Sequence, residues 1–118
     1  MRVNSPCTNL IAGSFVLAAA IFTAGTPLRA QQAHALAITV KGNHFQPASL
    51  SAPANQPLSI TIKNLDATPM EFESVSLRVE KVIGPGASGT VHVRPLAAGS
   101  YEFFDDFHQQ TRGVLVVR

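Results

Sequence analysis

An all-β sandwich is the fold this sequence predicts, and three observations predict it. Apolar and polar residues alternate with a period of two in several short runs; Pro, Gly and Asn/Asp turns punctuate those runs; and no stretch after residue 35 carries a helical period. Short strands at this spacing indicate a Greek-key sandwich or barrel of about seven or eight strands.

The chain has 118 residues, room for one domain. Not all of it is expected to fold. Arg2 opens a short basic segment, residues 10–24 form an apolar run, and Ala33, His34 and Ala35 offer the small-x-small pattern of a signal-peptidase site, with Ala30 as a second possible cut. A membrane anchor needs about 20 apolar residues, and this run is interrupted by Gly13, Ser14, Thr23 and Gly25. Residues 1–35 are therefore expected to be a signal peptide, cleaved near 30 or 35, and residues 36–118 an exported domain. Cys7 precedes the apolar core, where no lipobox would place it.

Within the domain, residues 36–40 alternate before a turn at Lys41, Gly42 and Asn43. The run 45–50 leads to Pro53, which suits an edge strand because proline donates no ladder hydrogen bond. Residues 58–62 alternate clearly, 64–69 read as a loop from their Asn, Asp, Thr and Pro content, and 70–74 read as a short strand. Val75, Leu77 and Val79 alternate with Ser76, Arg78 and Glu80, predicting a further strand that closes at Gly84, Pro85 and Gly86. Strands are expected at 90–93 and 101–104. The last run, 114–117, follows Gly113.

Charge and cysteine count narrow the function. Nine Lys and Arg face seven Asp and Glu, but Arg2 and Arg29 leave with the leader, so the domain is nearly neutral. No basic patch with interleaved aromatics remains to suggest nucleic acid. The single cysteine, Cys7, leaves too, so the exported form is expected to have no disulfide and no thiolate–metal bond. Ser74, Ser76 and Ser100 lie in no nucleophile motif, and Gly84, Pro85 and Gly86 are turn chemistry, which sets aside hydrolase and nucleotide readings.

What remains is a set of metal donors. Asp105, Asp106 and His108 stand in a short loop between two strands, a place where oxygen and imidazole donors can gather. Glu71 and Glu73 alternate with Phe72, so both project from one sheet face while Phe72 packs on the other. His44 precedes Phe45 and is close enough in the chain to a turn to approach the site; His92 sits in an alternating strand and is expected to be exposed or structural. Each donor also has a plain structural use: glutamates as solvated strand faces, aspartates as loop caps, and Met70 as filler in the core.

The stretch from Tyr101 to Gly113 resembles the last two strands of cupredoxins, where a Tyr-x-Phe-x-Cys-x-x-His loop is followed by Met and Gly. Tyr101, Phe103, His108 and Gly113 keep that frame, while Asp105 stands at the cysteine position and Thr111 near the axial methionine. With Pro69, Met70, Glu71, Phe72, Glu73 and Ser74 upstream and the Glu80, Lys81 pair, the chain resembles the cupredoxin-like domains of bacterial periplasmic iron-uptake systems, of the EfeO and FtrB type. The resemblance implies a cupredoxin-like Greek-key sandwich. It also implies a metal group drawn from Met70, Glu71, Glu73, Glu80, Asp105, Asp106, His108 and His44. Oxygen donors with an imidazole or two suit Fe(II), Fe(III), Cu(II) or Zn(II).

The function implied is a periplasmic protein that handles iron, copper or both, oxidising Fe(II) or delivering iron to a permease, and not a blue-copper electron carrier. Its partners would be the metal ion and an iron permease or other periplasmic uptake component, with membrane contact only through that partner. The alternative is a metal-free cupredoxin-fold docking module.

Overall fold

The computed structural model describes residues 2, 4, 13–26 and 32–118. Cys7, Leu10, Arg29 and the cleavage position after Ala30 lie outside the described residues. Residues 13–26 carry no regular secondary structure, and no helix among the described residues is long and apolar enough to cross a membrane.

The described residues form nine strands and no helix. These are β1 (His34–Lys41), β2 (His44–Gln46), β3 (Ser49–Ala52), β4 (Leu58–Asn64), β5 (Met70–Ser74), β6 (Val79–Ile83), β7 (Ser88–Val93), β8 (Gly99–Asp105) and β9 (His108–Val117). A four-stranded sheet in the order β2-β1-β4-β7 faces a five-stranded sheet in the order β3-β9-β8-β5-β6. Two pairs, β1 with β4 and β3 with β9, are parallel, and the remaining pairs are antiparallel. The all-β sandwich is therefore as expected. Its strands are more numerous than expected because the run 45–50 is divided at Pro47, which separates β2 on one sheet from β3 on the other.

Two boundaries differ from the expectation. β1 begins at His34, which pairs with Leu58, so a cut after Ala35 would remove two residues of the strand and a cut after Ala30 would leave it whole. The alternation at 75–80 is not one strand. Residues 75–78 form a turn closed by side chains: the Ser74 hydroxyl accepts from the Leu77 N–H at 3.2 Å, Arg94 donates to the Leu77 carbonyl at 3.1 Å, and Arg78 adopts a left-handed φ of 57°. Leu77 is buried as a plug, whereas Val75 is 77% exposed. Period-two alternation in a turn mimicked a strand.

The core lies between the sheets and is built from the inward residues of each strand, including Ile38, Val40, Ile60, Ile62, Phe72, Phe103 and Leu115. Three aromatic rings close it beneath the β1–β2 turn. Phe45 comes from the first sheet, and Phe72 and Phe103 from the second, with centroids 5.0 Å apart for Phe45 and Phe103 and 5.2 Å apart for Phe72 and Phe103. The Phe45–Phe103 contact is edge-to-face, at 78°, and contact of this kind adds to the area buried. Phe103 stands opposite Gly113 in the β8–β9 ladder, and a Cβ on Gly113 would run into the Phe103 ring and lie 2.9 Å from the Ala48 carbonyl oxygen.

The hydrogen of Gly113 is thus part of the ring's seat. Gly113→Ala is expected to destabilise the fold by about 1–3 kcal/mol, as overpacking of a filled core does. Urea unfolding monitored by circular dichroism measures it.

Candidate metal centre

The β8–β9 hairpin carries the loop that the sequence singles out. Asp105 and His108 are paired residues flanking a turn of Asp106 and Phe107. Asp105 continues the inward alternation of Phe103, so its carboxylate enters the sandwich and is fully buried. A buried carboxylate needs partners for both oxygens. Oδ1 accepts the Glu71 N–H at 3.0 Å and the Phe107 N–H at 3.1 Å, and Oδ2 lies 2.8 Å from Nδ1 of His108. Both oxygens are therefore committed within the protein.

A second group forms on the outer face of the same sheet. β5 turns Met70, Phe72 and Ser74 inward, so Glu71 and Glu73 project outward, where Glu73 stands opposite Glu80 of β6. Asp106 joins them because its N–H donates to the Glu71 carbonyl at 2.9 Å. Glu71, Glu73 and Asp106 each place a carboxylate oxygen within 4.8 Å of the others. Only 9% of the Glu71 surface is exposed.

Among the described residues no Lys or Arg is paired with this group. Among the described residues the one ion pair is Asp105 with His108. Lys81, next to Glu80, faces the other way, and its stem runs along Gly89 of β7. Arg112, on the outer face, sits over the Phe104 ring with its guanidinium carbon 5.1 Å from the centroid. A hydrogen bond with the Glu80 carboxyl, then burial, then the charges of Glu80, Asp106 and Glu73 raise the Glu71 pKa above its usual range. Burial, followed by Asp106 and Glu80, raises that of Glu73.

The third feature is a cleft at the end of the sandwich. The β1–β2 turn has both central residues left-handed, Gly42 at φ 58° and Asn43 at 57°, as a tight two-residue hairpin requires. Asp66 accepts both of their N–H groups, at 2.6 and 3.0 Å, and these bonds lower its pKa. Thr111, buried near the axial-methionine position, donates to the Asn43 carbonyl at 2.5 Å and ties β9 to the same turn. Between turn and strand lies a cavity of about 690 Å³ lined by residues that include His44 and His108.

The eight residues singled out from the sequence are thus not one group. Glu71, Glu73 and Asp106 come together, with Glu80 beside them. His44 and His108 share the end cleft, Asp105 is held inside behind His108, and the Met70 side chain is packed in the core, 1% exposed. His92 is exposed on β7. Sequence reading missed Asp66, which looks like ordinary loop composition; only the Gly42, Asn43 turn signal hinted that an acceptor was needed there. It also missed Gln109, whose amide donates to Asp106 at 3.1 Å.

A family model described as a cupredoxin-like domain matches residues 14–117. An uncharacterized protein of Rickettsia prowazekii (strain Madrid E) is 40% identical over 81 residues, which is 68% of this chain. The match spans 65% of that relative, less than two thirds of its length. Among solved structures, the metal binding domain of the Cu(I)-exporting P-type ATPase CopA from Streptococcus pneumoniae D39, with Cu(I), superposes with a TM-score of 0.65 at 17% identity, over 71% of this chain and 84% of that one. Reduced auracyanin from Roseiflexus castenholzii has a TM-score of 0.62 at 17% identity, over 75% and 99% of the two chains. A purple cupredoxin from Nitrosopumilus maritimus has 0.56 at 19% identity, over 70% and 99%. At these identities the likeness is one of fold.

The raised carboxylates give a pH dependence with a definite sign. Between their folded-state pKa values and the ordinary value of 4.5, the folded chain binds more protons than the unfolded one. The contribution of these groups to stability is therefore full below 4.5 and is lost as pH rises through the folded values. Glu71→Gln is expected to raise the Tm of the metal-free protein at neutral pH, with the gap closing as the pH approaches 4.5. Thermal melts across that range in the presence of a chelator check it.

Proposed function

The chain belongs to the cupredoxin-like domain family, and we propose that it is a metal-binding protein handling iron, copper or both, and not a blue-copper electron carrier. The observation that carries this reading is the outer-face group: three carboxylates with oxygens within 4.8 Å of one another and no Lys or Arg paired with them among the described residues. Like charges packed this closely repel, and a cation removes that cost. Carboxylate oxygens are hard donors, which suit Mg(II), Ca(II) and Mn(II) and also accept iron.

The type-1 copper of the fold does not fit these residues. That site needs a thiolate, two imidazoles and a weak axial thioether. Here position 105 is a carboxylate consumed by internal hydrogen bonds, position 111 is Thr, and the Met70 thioether is packed in the core. The Cu(I) bound by the CopA domain supports copper as a cargo of the fold, with a different donor set in this chain.

In its finer form, the reading places the protein in the periplasm after removal of the leader. It would take up iron there, oxidise Fe(II) with a bound copper or pass iron to a permease, and touch the membrane only through that partner. A docking module without metal is the second reading. Val82 and Phe107, 58% and 48% exposed beside Glu71 and Asp106, favour it as an apolar rim around an acidic patch.

Calorimetric titration with Cu(II), and with Fe(II) under argon, distinguishes the two. Glu73→Gln with Asp106→Asn is expected to weaken binding at the outer face by at least about tenfold, on the order of 1.4 kcal/mol. Wild-type affinity should also start to fall at a higher pH than unperturbed carboxylates would give, because Glu71 and Glu73 protonate early. If wild type and double variant bind both ions equally weakly, the metal reading fails and the docking module takes its place.

A further inference from the structure

We infer that Gln109 is the positioning and specificity-determining residue of the outer-face group: by holding one oxygen of Asp106 it limits that carboxylate to a single ligating oxygen, and so favours a small octahedral ion such as Mn(II) over Ca(II). The inference rests on the reading of Glu71, Glu73 and Asp106 as a metal site. It adds a residue that acts through another side chain.

Glu71 shows that the group is short of a cation. Although β5 turns its side chain to the outer face, the residue is nine-tenths buried. Among the described residues no Lys or Arg pairs with its carboxylate, and the group that hydrogen-bonds to it is itself a carboxyl, that of Glu80. A buried carboxylate surrounded by other acids lacks compensating positive charge, which an ion supplies.

Asp106 is the member of the group that the sheet fixes least. Glu71 and Glu73 sit in the β5–β6 ladder opposite Val82 and Glu80, whereas Asp106 stands in the turn between β8 and β9. Two hydrogen bonds hold it. Its N–H donates to the Glu71 carbonyl at 2.9 Å, which places the main chain, and the Gln109 amide donates to its Oδ1 at 3.1 Å, which orients the carboxylate. Gln109 follows His108, whose ladder pairing with Asp105 fixes the start of β9. Oδ1 is therefore occupied and Oδ2 is left for an ion. Hydrogen bonds to ligating carboxylates orient metal ligands in this way. The ion feels the missing oxygen, because Ca(II) takes about six to eight oxygens and uses carboxylates through both of theirs, while smaller octahedral ions accept one oxygen from each and keep several waters.

The test titrates the full chain with MnCl2, reading free Mn(II) by paramagnetic resonance, and with CaCl2 by calorimetry. Gln109→Met keeps an unbranched side chain of similar length and removes the amide. It should weaken Mn(II) binding by about tenfold, the lower end of the range for outer-shell partners, and weaken Ca(II) less, so that the preference for Mn(II) narrows. A merely structural role would weaken both ions alike. In an Asp106→Ala background the same substitution should have no further effect, because Gln109 acts only through Asp106. Gln109 is exposed, and circular dichroism checks that each variant keeps the fold. Unchanged Mn(II) affinity in Gln109→Met overturns the inference, as do equal losses for the two ions or an undiminished loss in the Asp106→Ala background. Each of those results leaves the metal reading standing if the wild type binds Mn(II) more tightly than Glu73→Gln with Asp106→Asn. A wild type that binds Fe(II) at this group and not Mn(II) overturns the ion preference alone. A wild type that binds no ion better than that double variant removes the metal reading and this inference together.

Discussion

The buried carboxylate of Asp105 is the constraint on which this end of the molecule depends. It is fully enclosed, and three hydrogen bonds satisfy it: two from backbone N–H groups and one from an imidazole. An enclosed charge left short of partners costs several kcal/mol, so these contacts determine the local backbone. The Glu71 N–H turned toward Oδ1 joins the end of β5 to β8. The reciprocal Asp106 N–H on the Glu71 carbonyl then draws the hairpin turn over β5. One inward carboxylate thereby places three outward ones together.

The packing below it explains why the turn holds its position. Phe45, Phe72 and Phe103 cross from one sheet to the other directly beneath, and Gly113 opens the space that lets the Phe103 ring lie against β9. Asn64, buried at the far end of β4, performs the equivalent service for the facing loop. Its amide donates to the Thr68, Ile83 and Gly84 carbonyls, and its oxygen accepts the Asp66 N–H at 3.0 Å. Asp66 in turn holds the Gly42, Asn43 turn. The cleft is therefore flanked by two polar anchors, each with its hydrogen-bonding capacity used inside the protein, and the groups left over for chemistry are those that point away from them.

Much of this was legible in the sequence. Alternation in 36–40, 58–62 and 101–104 located three central strands, and Glu71, Phe72 and Glu73 correctly divided between two faces of β5. Alternation misled at 75–80, because Leu77 and Val79 are apolar for different reasons: one plugs the core from a turn, and the other begins a strand. The site was legible only as a set of residue types. Whether Asp105 points inward or outward depends on the strand continuing one residue past Phe104, and spacing alone does not say where the pleat ends. The Glu71, Glu73, Asp106 group requires β5 to be the neighbour of β8, a nonlocal pairing.

The separation into two donor sets follows from the same pleat. In a hairpin whose flanking residues are Asp105 and His108, neighbouring residues are offered to different surroundings: Asp106 of the turn leans toward the outer face of β5, and His108 at the start of β9 toward the β1–β2 turn. A single site would need Asp105 to turn outward and join both sets, which would strip the Glu71 and Phe107 N–H groups and the His108 ring of their acceptor at once. Unsatisfied buried donors cost about 1–3 kcal/mol each, more than one additional carboxylate ligand would return in a site already rich in them. The carboxylate at position 105 therefore acts through what it orients.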